Sequence, residues 1–139
     1  MLRTFIYHDE SQLTTIHNIR ATMITRGTDA DKERIYQYIG KDYACCLYLY
    51  MDLIEYGPDS EFTKTWIQEV DGSITCIMLS YHTALHIYAR SAFDIDEVVD
   101  IVTQIKPSQI CAYKPVIETL KLPLSRQGYE AELGYVGKL

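Results

Sequence analysis

The sequence has no long hydrophobic run. Its longest nearly apolar stretch, residues 44–51, is much shorter than the roughly 20 residues that a membrane-spanning helix needs. Residues 1–4 also lack the hydrophobic region of a secretory leader. We therefore expect no membrane segment and a cytoplasmic localisation.

The cysteine spacing of a zinc site is missing as well. Cys45 and Cys46 are adjacent, and no two cysteines are separated by two residues. All four cysteines lie in apolar patterns, so we expect buried, reduced thiols. His82 and His86 have the spacing of a helical metal site, but they straddle a turn and a strand, so we expect no metal.

Clustered basic residues are absent too. The net charge is −6, and no basic run alternates with aromatic residues. Since phosphate contacts need clustered Lys and Arg, this composition argues against a nucleic-acid binder. The Gly-x-Ser-x-Gly, P-loop and Cys–His nucleophile patterns are also missing.

Tyrosine is the residue type in excess. The chain has 12 tyrosines among 139 residues, and 47% of its residues are hydrophobic, which suits one compact domain with a sizeable core. We favour an amphipathic core whose hydroxyl groups reach water, and a ligand wall lined by phenols stays open as the alternative. Six of the tyrosines fall within residues 36–56: Tyr36, Tyr38, Tyr43, Tyr48, Tyr50 and Tyr56.

Apolar periodicity and turn residues predict an α/β chain with a mixed (α+β) sheet and helices on both faces. Residues 1–18 form an N-terminal extension of uncertain structure, and residues 19–139 form one domain. The predicted elements are a strand over 19–25, helices over 28–40 and 43–56, strands over 63–70, 73–81 and 84–90, a helix over 95–105, a strand over 108–112, a helix over 115–120 and a strand over 129–136.

The helix over 43–56 is apolar nearly all round, so we expect it to be largely buried. Asp52 and Glu55 are its only acids. A solvated stripe is the favoured interpretation of this pair, and a buried catalytic acid is the alternative.

The start of the helix over 95–105 is the most informative local feature. A helix N-terminus offers unpaired N–H donors and a partial positive charge, which favour anions. Here Asp94 fits the N-cap and Glu97 the reciprocal acid of a capping box, with Asp96 between them. Because three carboxylates occupy this turn and no glycine is near, we expect that no pyrophosphate binds there.

The order β-α-α-β-β-β-α-β-α-β resembles the three-layer sandwich of the GNAT superfamily of N-acetyltransferases. The closer likeness lies in residues 32–39, 47–57 and 62–69 and in the Asp71-Gly72 turn. These segments resemble the N-terminal half of larger bacterial proteins that hold two GNAT-like halves. The resemblance implies acetyl-CoA as the family cofactor, and a catalytic GNAT half following Leu139 as a partner.

The departure from that family lies after the fourth strand. GNAT enzymes have a Gln/Arg-x-x-Gly-x-Gly/Ala loop there, whose amides hold the pyrophosphate of coenzyme A. Here Arg90 is the only residue that matches that loop pattern, and the glycines are missing. We therefore expect a GNAT-like domain that binds no acetyl-CoA by itself.

Three functions follow from the resemblance. The favoured one is a cofactor-free N-terminal domain of an acetyl-CoA-dependent N-acetyltransferase, which shapes the acceptor site or contacts the catalytic half. The alternatives are a divergent stand-alone N-acetyltransferase and a non-enzymatic module that binds a ligand or forms a homodimer.

The resemblance also implies residues for acyl transfer. Glu69 or Tyr81 would act as the general base, and Tyr113 would protonate the leaving thiolate. If acetyl-CoA binds, backbone N–H groups of the fourth strand would polarise the thioester; they belong to Leu85, His86 and Ile87. The alternative for Glu69 is a solvated hairpin residue, and for both tyrosines a sheet-edge aromatic.

Overall fold

A computed structural model describes residues 22–131 of the chain. Two short 3-10 turns, Asp29–Asp31 and Asp42–Cys46, precede the first two helices. The predicted extension over 1–18 and most of the strand predicted over 129–136 lie outside the described residues. The elements are β1 (Met23–Arg26), α1 (Lys32–Ile39), α2 (Leu47–Tyr56), β2 (Thr63–Val70), β3 (Ser73–Tyr81), β4 (Ala84–Tyr88), α3 (Ile95–Ile105), β5 (Gln109–Cys111) and α4 (Lys114–Ser125).

The five strands form one sheet in the order β1-β2-β3-β4-β5. The first four are antiparallel neighbours, and β5 runs parallel to β4 after the crossover through α3. Asp71 and Gly72 join β2 to β3 with φ values of 51° and 81°, the left-handed backbone of a tight hairpin turn. The predicted mixed sheet is confirmed.

Two apolar layers cover the two faces of the sheet, and β3 contributes to both. Cys76 and Met78 pack with α3 and α4, while Ile77 and Leu79 pack with α1 and α2. All four side chains are fully buried. Strand β3 is therefore a central strand that is buried on both faces.

The α-helices predicted over 28–40 and 43–56 begin later than expected, at Lys32 and Leu47. Thr28 forms a capping box with Asp31 ahead of α1. The segment predicted as the start of the second helix is the 3-10 turn Asp42–Cys46. Only one side of α2 is buried, because Met51 and Ile54 are exposed, so the expectation of a largely buried helix is wrong.

Three further boundaries differ from the prediction. Strand β4 ends at Tyr88 rather than residue 90, because the backbone N–H of Arg90 donates to the Tyr38 hydroxyl at 2.7 Å. Helix α4 continues through Pro123 to Ser125, where Leu124 is buried against the core. Residues 129–131 are not in a strand.

The four cysteines differ in their burial. Cys46 and Cys76 are buried, whereas Cys45 and Cys111 are half-buried, so the expectation of four buried thiols holds for two of them. All four are free. Within residues 22–131, every helix is too short or too polar to cross a bilayer.

Candidate functional site

The candidate site lies at the end of the sheet where β4 stops. Tyr88, the last residue of β4, pairs with Ile77, so the Asp71-Gly72 hairpin lies toward the same end. Three features meet here: the start of α3 on one face, the point where β4 and β5 diverge, and a polar cleft on the opposite face.

Buried Gln68 of β2 closes the start of α3. Its Nε2 donates to the Asp94 carbonyl and to the Glu97 carboxylate, both at 3.0 Å. Its Oε1 accepts the backbone N–H of Asp94 at 2.9 Å. Gln68 is fully buried and lies on the α3 face of the sheet, like Cys76, the residue it pairs with on β3.

The acids at this helix start bond differently from the predicted capping box. Asp94 is the N-cap and accepts the backbone N–H of Glu97 at 3.2 Å, as predicted. The reciprocal bond from Glu97 is absent among the described residues, because Gln68 takes the Asp94 N–H. The Glu97 carboxylate instead accepts from Gln68 and from the Thr22 hydroxyl, which also contacts the Asp94 carboxylate. This network consumes the Asp94 and Glu97 amides that an anion would use.

Strands β4 and β5 pair over only three residues. Leu85 and His86 are opposite Ile110 and Cys111, and Ile87 is the first residue of β4 beyond this pairing. Beyond the pairing, the Tyr113 hydroxyl donates to the Ala89 carbonyl at 3.3 Å. The phenol of Tyr113 therefore bridges the two chain segments where the strands diverge.

The predicted acid and base residues do not converge. Glu69 accepts from Arg34 at 2.7 Å and lies near the hairpin, at the same end of the sheet as Tyr113. Tyr81 lies at the other end, stacked on Tyr56 with ring centroids 5.3 Å apart. Glu69 is opposite Ile74, seven residues before Tyr81, a span of about 23 Å along β3. The catalytic roles of Glu69, Tyr81 and Tyr113 stay predictions.

His86 lies against an acid of α2. Its Nε2 is 3.8 Å from a carboxylate oxygen of Asp52, and both side chains are largely buried. Burial lowers the pKa of His86 and raises that of Asp52. The predicted solvated stripe is therefore wrong for Asp52, whereas Glu55 is exposed. Among residues 22–131, no cluster of three His, Cys, Asp or Glu side chains is arranged to hold a metal.

A polar cleft of about 410 Å³ lies on the α1 face, between α1, the hairpin turn and the segment after β4. Arg34 and Arg90 line it, together with Tyr38. The Arg90 guanidinium lies over the Tyr38 ring, 4.9 Å from its centroid. Sequence reasoning missed this cleft, because its lining comes from three segments that share no local motif.

Comparison with known proteins finds no matching family model and no matching curated protein. Solved structures do resemble the chain. A ribosomal-protein-alanine N-acetyltransferase from Brucella melitensis is 16% identical with a TM-score of 0.49, covering 83% of this chain and 96% of that one. The likeness to this acetyltransferase concerns the fold alone.

Two other solved structures are similar at lower identity. An aminoglycoside acetyltransferase from a soil metagenome, in complex with sisomicin, is 13% identical with a TM-score of 0.44, covering 83% of this chain and 92% of that one. A predicted acetyltransferase with acetyl-CoA from Clostridium acetobutylicum is 11% identical with a TM-score of 0.44, covering 84% and 94%. All three solved structures are at most 16% identical to this chain.

Proposed function

We propose that this chain is a GNAT-like domain that does not itself hold the diphosphate of acetyl-CoA. It serves an acetyl-CoA-dependent N-acetyltransferase by binding the acceptor or by contacting a catalytic GNAT domain. The observation that carries this proposal is the closed start of α3, where Gln68, Asp94 and Glu97 bond to one another.

Two costs oppose a diphosphate at this helix start. The phosphate would compete with Gln68 and Asp94 for the N–H donors, and Gln68 is fully buried with no solvent to replace its bonds. It would also approach the carboxylates of Asp94 and Glu97. Each partly screened like-charge contact costs on the order of 1 kcal/mol.

The groups that connect β4 to the segment around β5 support the proposal a second time. The family resemblance implies that the thioester lies against the backbone of the fourth strand. Here Leu85 and His86 are paired with β5, and Tyr113 bridges the segments beyond them. The chain's own groups therefore occupy the place where a thioester would enter.

The short β4–β5 pairing also favours the second candidate, a divergent acetyltransferase. The 3.3 Å bond from Tyr113 to Ala89 is long and single, so rotation of this phenol would widen the opening at little cost. In that case acetyl-CoA would bind without a diphosphate site of the family type.

Isothermal titration of the full chain with acetyl-CoA separates the two candidates. We expect no saturable heat from the wild-type protein or from a Tyr113→Phe variant, because the start of α3 is closed in both. Low-micromolar binding by the wild type would overturn the proposal and support the divergent enzyme. Release of free thiol in the presence of a primary amine would then show acyl transfer.

A further inference from the structure

We propose that the cleft between Arg34 and Arg90 is a binding site for a small oxyanion, a carboxylate or a phosphate. The cleft volume of about 410 Å³ lies within the range of small-molecule sites in proteins. It lies on the α1 face with Tyr38 and Ile74, whereas the start of α3 packs on the opposite face. The site is therefore separate from the closed helix start.

Charge decides the class of ligand. Among the described residues, the charged side chains lining the cleft are the two arginines, and the polar ones include Gln37, Ser73 and Ser91. A guanidinium carries five N–H donors in a planar fork that matches the two oxygens of a carboxylate or phosphate. Hydroxyl and amide groups add further donors around such an anion. A cation, by contrast, would meet the guanidinium of Arg90.

Arg90 is held in place before any ligand arrives. Its guanidinium stacks over the Tyr38 ring and donates to the Tyr38 carbonyl, and its backbone N–H donates to the Tyr38 hydroxyl. That hydroxyl in turn donates to the Thr75 carbonyl at 3.0 Å. A side chain fixed in this way loses less entropy when it binds an anion.

Arg34 is held in position by two carboxylates. Its Nε donates to Asp31 at 3.0 Å and its Nη1 donates to Glu69 at 2.7 Å. These two bonds leave three of its five N–H donors. Because Asp31 and Glu69 together carry two negative charges, Arg34 adds no net positive charge, and the attraction for an anion comes from Arg90. We therefore expect Arg90 to provide most of the affinity and Arg34 to provide orientation.

Amide NMR spectra of the full chain test this inference, with inorganic phosphate and succinate titrated separately at matched ionic strength. We expect saturable shifts at Ser73 and Ser91 with at least one anion. Arg90→Gln weakens binding about tenfold or more, since a charge-assisted bond is lost. Arg90→Lys keeps the positive charge but loses the planar set of guanidinium donors. We therefore expect its affinity to lie between those of the wild type and Arg90→Gln.

Arg26→Gln is the matched control, because Arg26 also stacks on an aromatic ring, that of Trp66, but lies outside the cleft. Binding of phosphate alone or of succinate alone would identify the class of anion. Absence of saturable shifts with both anions would overturn the inference, as would equal affinities for wild type and Arg90→Gln. Neither probe contains coenzyme A, so a negative result here would overturn the oxyanion site without affecting the proposal tested by the acetyl-CoA titration.

Discussion

Replacing Gln68 by alanine measures how strongly the start of α3 is closed. The side chain makes four hydrogen bonds, to the Asp94 N–H, the Asp94 carbonyl, the Glu97 carboxylate and the Thr75 hydroxyl. Each bond contributes about 1 kcal/mol net, and the one to the carboxylate contributes more. We therefore expect the Gln68→Ala substitution to lower the free energy of unfolding by about 4 kcal/mol.

Urea unfolding provides the assay, because Trp66, the single tryptophan of the chain, packs against the core layer that contains α3. Gln68→Leu keeps most of the volume without the bonds, so its loss of stability reports the bonds without a large cavity. Gln104→Ala is the control, since Gln104 is an exposed residue of α3. This substitution should change the free energy of unfolding by less than about 0.5 kcal/mol. A Gln68→Ala variant as stable as Gln104→Ala would show that the Gln68 bonds do not hold the start of α3 in place.

Three further predictions concern the scaffold. Gly72→Ala should lower unfolding stability by about 1 kcal/mol in a urea titration, because φ is 81° although the space around it is open. Thr28→Ala should also lower it by about 1 kcal/mol through loss of the cap, and an unchanged midpoint would contradict the capping box. Burial lowers the pKa of His86, so as the pH decreases the unfolded chain takes up a proton before the folded chain does. The free energy of unfolding should therefore decrease as the pH is lowered through about 6.5. His86→Gln should flatten this pH dependence and His82→Gln should keep it, and the same slope in both variants would contradict the prediction.

The local elements were predictable because their signals are local. Two β-rich runs around Asp71-Gly72 define the hairpin, and Asp94 marks the first turn of α3. The 3-10 turn before α2 was missed because its residues continue the apolar pattern of the helix. Helix α4 passes Pro123 because burial of Leu124 outweighs the bond that proline cannot make.

The candidate site was predictable only in part. Sequence placed three acids at the start of α3, but the partner that closes it, Gln68, lies 26 residues before Asp94 on another strand. The cleft between Arg34 and Arg90 depends on tertiary packing in the same way. Asp52 lies next to His86 because α2 packs over β4, which lies between β3 and β5 in the sheet. The sequence pattern does not specify which strand α2 covers.

We propose that this chain's own side chains, Gln68 and Asp94, occupy the anion-binding end of α3. Amide NMR spectra recorded while coenzyme A is added test it most directly, since the backbone signals of Ile95, Asp96 and Glu97 report that helix start. We expect that these signals do not shift and that the side-chain amide of Gln68 stays protected from solvent exchange. Saturable shifts at these three amides, with loss of protection at Gln68, would contradict it.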